Sequence, residues 1–193
     1  MPSALPGVDA NADGELKILD PAGGTGVLSV ILLLHILKNS HIQKVVIDIY
    51  EIYKNILPVL NDNIEMIKNK YDEANRILCV NMYNENLVTA HRHAIYDLVI
   101  GNPPYIKVNK NVREAETANE ILFGQPNMYM IFMFHSLKML KQNGQLVFIV
   151  PRSFLMENIS ISIGNGYIRT ILLPTYTILN QEEKFSTIKF FRN

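Results

Sequence analysis

A chain of 193 residues with 48% hydrophobic residues is long enough to bury a core and short enough to form one domain. Its 18 basic and 18 acidic residues cancel, which is unusual for a free-standing DNA binder, where a basic face normally supplies affinity. The single cysteine excludes a disulfide framework and fits a reducing cytoplasm, and the five histidines show no metal-ligand spacing.

Residues 1–15 are rich in Ala, Pro, Gly and Asp and have no apolar core. They read as a disordered lead or an expression remnant rather than a signal peptide, leaving 16–193 as the folded domain. A first strand is predicted at 17–21. It runs into the glycine-rich turn Asp20-Pro21-Ala22-Gly23-Gly24-Thr25-Gly26, and a helix follows at 26–38. The apolar run Val27 to Leu37 is too short to span a bilayer and fits a helix buried between a sheet and its neighbours.

A second strand is predicted at 44–49, a helix at 51–69 and a third strand at 76–80. Cys79 falls in that third strand and reads as a small core residue. His91 and His93 read as surface loop residues, and His35 and His135 as core or boundary positions on helices. A fourth strand is predicted at 96–101, a helix at 127–141 and a fifth strand at 145–150. The Met and aromatic stripe from Met128 to Phe134 reads as core packing. Further strands are possible at 167–174 and 186–191. Strands alternating with helices of ten or more residues indicate βαβ units in a doubly wound, mostly parallel α/β sheet. Right-handed crossovers then put ligands at the C-terminal strand edge.

Two motifs carry chemistry. The glycine turn lets the backbone approach a ligand closely and aims the following helix N-terminus at it. It is not the phosphate loop of NTPases, since no Gly-Lys-Ser/Thr follows, and its spacing is not that of a dinucleotide fingerprint. The second motif is Asn102-Pro103-Pro104-Tyr105, directly after the apolar run Asp97-Leu98-Val99-Ile100. The Asn102 side-chain oxygen and the Pro103 carbonyl can both accept from one NH₂, and Tyr105 can stack on a flat ring. Pro103 and Pro104 hold the turn rigid. An ordinary Pro-Pro turn after a strand accounts for the same residues equally well.

Taken together and in this order, the two motifs resemble those of S-adenosylmethionine-dependent, adenine-specific DNA methyltransferases. The segment Gln145 to Leu155 is similar to the strand-and-Pro segment of the Eco57I-like, restriction-modification branch. The resemblance covers residues 17–155 and implies a class I, Rossmann-like methyltransferase sheet with one antiparallel strand near the C-terminus. It implies S-adenosylmethionine as cofactor, no metal and no membrane, and double-stranded DNA as substrate.

The resemblance also assigns roles. Asn102, Pro103, Pro104 and Tyr105 form the catalytic turn. Asp20, Pro21, Ala22, Gly23, Gly24 and Gly26 bind the cofactor, and Asn102 borders it. Asp48, with Ile49 beside it, is placed to accept from the ribose hydroxyls, although an Asp there can also cap the next helix. Asn81 and Met82 end the third strand, where the family has an Asp contacting the cofactor's adenine amine. Tyr129 is a candidate wall of the cofactor pocket. Lys107 and Lys110 are candidate phosphate contacts near the target base, although a solvated loop explains them as well. Phe185, before the last strand, is a candidate for stacking on an extruded base. The neutral charge places the main DNA-gripping part elsewhere, on a recognition domain or a specificity subunit. Amino-methyltransferases of ribosomal RNA or of protein glutamine share the Asn-Pro-Pro-Tyr turn, and an inactive cofactor-binding module is a further alternative.

Overall fold

The computed structural model describes residues 14–89, 95–108 and 127–150, and the strand backbones of 151, 162–163, 166–167, 170–171 and 185–191. Five strands, β1 (Glu15–Asp20), β2 (Lys44–Tyr50), β3 (Ile77–Tyr83), β4 (Tyr96–Gly101) and β5 (Leu140–Pro151), are mutually parallel. β9 (Phe185–Phe191) pairs antiparallel with β5, and β8 (Thr170–Ile171) pairs with β9. The sheet order is β3-β2-β1-β4-β5-β9-β8, and β6 (Ser162–Ile163) and β7 (Gly166–Tyr167) form a separate pair. The expected antiparallel strand is therefore β9. The stretch 167–174 supplies two short strands, β7 and β8, in place of one.

Residue alternation along the strands decides which helix covers which face. Leu16 and Ile18 of β1 and Val45 and Ile47 of β2 face α1 (Val27–Asn39) and α2 (Leu57–Glu73). Leu19, Tyr50 and Val99 face the other way, onto the short 3₁₀ turn η1 (Leu87–Thr89) and α3 (Met128–Met139). The predicted stripe on α3 is core: Ile131, Met133 and Phe134 are all buried. At about 1.5–3 kcal/mol for each fully buried apolar side chain, these two layers hold the sheet between them. The hydroxyl of Tyr71 on α2 donates to the Leu33 carbonyl on α1 at 2.9 Å, fixing the two helices to each other.

Several sequence readings change. α1 is covered on one side only: Val27 is 54% and Ile31 59% exposed, so it is not enclosed between layers. Cys79 is exposed, because β3 is the edge strand and Cys79 lies on its less covered face. α2 starts at Leu57, not near residue 51, with Pro58 in its first turn, where a missing N–H costs nothing. His35 is a boundary residue beside Asn39, as expected. His91 and His93 lie outside the described residues. No helix among the described residues is long and apolar enough to cross a membrane.

Candidate active site

The sheet order reverses direction between β1 and β4, so the loops leaving these strands diverge and leave a crevice at their C-terminal ends. A cavity of about 290 Å³ opens there. It is bordered by Ala22 and Gly24 after β1, Glu51 and Ile52 after β2, and Asn86 after β3. Asn102 and Pro104 after β4, with Met128 and Phe132 of α3, complete the wall. The glycine turn and the Asn-Pro-Pro-Tyr turn, far apart in the chain, thus meet at one site.

Packing shapes the glycine turn. A Cβ on Gly23 would stand 2.3 Å from Ile49 Cγ2, so only glycine lets the turn lie on β2. Its N–H donates to the Tyr50 carbonyl at 2.9 Å. Gly26 has φ +79° and sits over Leu60, whose Cδ1 would be 2.6 Å from an added Cβ. Asn63 of α2 donates to the Thr25 carbonyl at 2.8 Å. Gly23, Gly26 and Ile49 therefore form the underside of the turn, while Pro21, Ala22 and Gly24 face the cavity.

Asp20 holds the turn from within. It is 1% exposed, and its two oxygens accept from the Ser29 hydroxyl at 2.6 Å and the Ala22 N–H at 3.2 Å. Burial raises its carboxyl to about 6, opposed by those two hydrogen bonds and reinforced by the nearby charge of Glu51. These bonds fix the turn and the start of α1.

The structure places the acid of the second strand, Asp48, away from the cavity wall. Strand β2 continues two residues past it, so Asp48 points to the same face as Tyr50 but one step deeper. There its oxygens accept from Asn81 Nδ2 at 2.7 Å and the Tyr96 hydroxyl at 2.5 Å. Glu51, the first residue beyond the strand, borders the cavity. It is 7% exposed, and it accepts from the Gly24 N–H at 2.8 Å and the Tyr53 N–H at 2.7 Å.

The same displacement affects the third strand. β3 runs on to Tyr83, so Asn81 lies within it, opposite Asp48 in register and bonded to it. Met82 is exposed on the opposite face, outside the cavity wall. Residues after β3, among them Glu85, Asn86 and Leu87, border the cavity instead. Asn84 donates to the Glu51 carbonyl at 2.7 Å and ties this segment to the end of β2.

At the Asn-Pro-Pro-Tyr turn, Asn102 is exposed and borders the cavity, Pro103 is buried and Pro104 is exposed. Tyr105 is half-buried. Its ring meets Tyr129 edge-on at 6.1 Å, and its hydroxyl reaches Asn102 and the Ile149 carbonyl of β5. Tyr129 is 2% exposed and backs Tyr105, while Met128 and Phe132 form the α3 part of the cavity wall. Lys107 is exposed, and its backbone bridges to Asn127. Lys110 lies outside the described residues. Phe185 opens β9 opposite Pro151, inside the strand and not before it, and only its backbone is described. Among the described residues no group of three His, Cys, Asp or Glu side chains is placed to hold a metal ion.

A parallel sheet with a reversed order, a glycine turn and an Asn-Pro-Pro-Tyr turn at one crevice define a class: the class I S-adenosylmethionine-dependent methyltransferase fold. Similar folds are found in a Listeria monocytogenes protein assigned to that class (TM-score 0.60, 17% identity, covering 94% of this chain and 55% of that one). Another is a Streptococcus mutans protein assigned as a methyltransferase and solved in complex with SAH (TM-score 0.55, 14% identity, covering 96% and 90%). The Eco57I restriction-modification methylase family profile matches residues 28–172, and the chain belongs to that family. Type II methyltransferase M.AccI of Acinetobacter calcoaceticus is 30% identical over 176 residues, which are 88% of this chain and 30% of that relative. The chain spans less than a third of the length of the curated relatives it matches.

Proposed function

We propose that the chain transfers a methyl group from S-adenosylmethionine to the exocyclic amine of adenine in double-stranded DNA, as the catalytic core of a restriction-modification enzyme. The observation that supports this most is Asn102 on the wall of a cavity whose other side is the glycine turn and Glu51.

The cavity residues fit the cofactor. Glu51 uses one acceptor position on each oxygen for Gly24 and Tyr53, leaving lone pairs for two ribose hydroxyls. Ile52, 50% exposed, and Phe132 offer apolar surface to an adenine ring. Asp20 and Glu51 make the turn electronegative, which suits a sulfonium and an ammonium group. The cofactor supplies an electrophilic methyl group.

The chain's own residues prepare the acceptor. An adenine amine is a weak nucleophile because its lone pair is delocalised into the ring, and the base must leave the stack to reach an enclosed site. Asn102 Oδ1 and the Pro103 carbonyl hold the two amine hydrogens. That arrangement favours a more tetrahedral nitrogen with its lone pair aimed across the cavity, and positioning supplies much of the rate. The paired prolines keep both acceptors in place without an ordering cost.

The test is transfer of radiolabelled methyl groups to DNA, RNA and protein offered in parallel, with hydrolysis of the product. N6-methyladenine in DNA is expected. Label in RNA guanine or in protein glutamine would move the same chemistry to another substrate. Cofactor binding with no transfer to any of the three would leave only a binding module.

A further inference from the structure

Asn102 stands at the cavity edge, but its carboxamide is not loose. The structure sets its Oδ1 against the Tyr105 hydroxyl, and that hydroxyl lies 2.9 Å from the Ile149 carbonyl. A phenol has one hydrogen to donate. The Ile149 carbonyl can only accept, so a second oxygen against the same hydroxyl would leave one oxygen pair with no hydrogen between them. The two ends of a carboxamide are nearly equal in size, and the hydrogen-bond network decides which end is which. The contact is satisfied when Asn102 presents its nitrogen.

We propose that Tyr105 is a positioning residue for Asn102. Its hydroxyl accepts from Asn102 Nδ2 and donates to the Ile149 carbonyl, which turns Asn102 Oδ1 towards the cavity as an acceptor.

Three observations support the brace. β4 and β5 are neighbours in the sheet, with Gly101 opposite Phe148, so the catalytic turn starts beside the strand that carries Ile149. The Tyr105 ring rests edge-on against the buried Tyr129, which fixes the direction of the hydroxyl. Burial also raises the Tyr105 pKa, so the hydroxyl keeps the hydrogen it gives to Ile149.

The consequence rests on the proposed amine substrate. A carboxamide free to rotate presents its NH₂ group as readily as its oxygen. A donor facing the target amine cannot hold its hydrogens, so each wrong orientation is an unproductive complex. The brace selects the productive one before substrate arrives, and stacking on a base is a separate property of the same ring.

The experiment is carried out on the 193-residue chain labelled with ¹⁵N and ¹³C. One Asn102 Nδ2 hydrogen should resonate downfield and exchange slowly. Tyr105→Phe should abolish both features and shift the Ile149 carbonyl carbon, while the backbone amides of β1 and β2 stay in place and show the fold intact. Unchanged Asn102 side-chain signals in that variant would overturn the proposal. So would a change at Asn102 with the Ile149 carbonyl unmoved, because the hydroxyl would then be donating to Oδ1.

A kinetic arm measures methyl transfer to mixed-sequence duplex DNA. Tyr105→Phe should lower kcat about 10- to 100-fold with the cofactor KM unchanged, the scale of a misplaced group. In an Asn102→Asp background the two ends of the side chain are alike, and the same change should cost about twofold or less. An equal loss in both backgrounds would give Tyr105 a role independent of Asn102 and sink the proposal. The spectroscopic arm needs no substrate, so its outcome for Tyr105 stands whichever substrate class the enzyme uses.

Discussion

The backbone N–H of Gly24 donates to Glu51 Oε2 at 2.8 Å, joining the turn after β1 to the first residue after β2. This bond holds Glu51 at the cavity wall, where Asp48 does not reach. Glu51→Ala should weaken S-adenosylmethionine binding by about 1.5–3 kcal/mol, the range for hydrogen bonds to a charged group. Asp48→Ala should leave affinity unchanged but lower the melting temperature, since it removes the charged acceptor of the Tyr96 hydroxyl and of Asn81 Nδ2, bonds worth about 1.5–3 kcal/mol each. Calorimetry on both variants decides between them. A loss of affinity confined to Asp48→Ala would return the ribose contact to Asp48.

The two acids also show how far the sequence can be read. The βαβ pattern, the glycine turn and the Asn-Pro-Pro-Tyr turn are legible because each depends on local residue type and spacing. Where β2 ends is not. Asp48 is the first acid after an apolar run, and a polar residue there looks like a strand end. In the fold, Tyr50 still pairs with Tyr83 of β3, and their rings stack with centroids 4.7 Å apart. That cross-strand pair extends both strands, buries Asp48 with exposed Asn81 bonded to it, and moves the cavity contacts on to Glu51 and Asn86. The core reading of Cys79 fails for a related reason: strand composition does not reveal which strand lies at the edge. The one available signal was Glu51 itself, an acid between the apolar strand and the start of a helix.

A crowded glycine gives a second prediction. Gly23→Ala places a Cβ 2.3 Å from Ile49 Cγ2, and the displaced turn should cost about 1–3 kcal/mol of stability, as overpacking does. Ile49→Ala removes that methyl group. The double variant should therefore be less destabilised than the sum of the two singles, because the residues are in contact. Denaturant unfolding of the four proteins measures this, and strict additivity would show that the clash is relieved elsewhere.

Asp20 predicts a pH dependence of stability. Its carboxyl is raised by burial from 3.8 to about 6, so the folded chain keeps a proton that the unfolded chain releases. Between about pH 4 and pH 6 the folded state binds more protons, and the Asp20 contribution falls as pH rises; above that window it is flat. The Asp20→Asn variant has no such proton. The stability difference between the two proteins should move in favour of that variant by on the order of 3 kcal/mol from about pH 4 to pH 7. Urea unfolding across this range is the measurement. A difference that does not vary with pH would mean that Asp20 titrates alike in both states.

Asn102 gives the prediction closest to the proposed chemistry. It borders the cavity from the β4 side, across from the glycine turn, and its carboxamide contacts the Tyr105 hydroxyl. Removing it deletes one acceptor for the target amine and leaves Glu51 and the glycine turn untouched. Asn102→Ala should therefore reduce single-turnover methyl transfer about 10²–10³-fold, the scale seen when one preorganised polar group is removed from a reacting centre. Cofactor affinity should stay within about twofold, because the Glu51 contacts persist. The two measurements separate the steps: transfer reads the acceptor side of the cavity, and calorimetry reads the cofactor side. A fall in affinity matching the fall in transfer would place Asn102 on the cofactor, and the amine would need another acceptor.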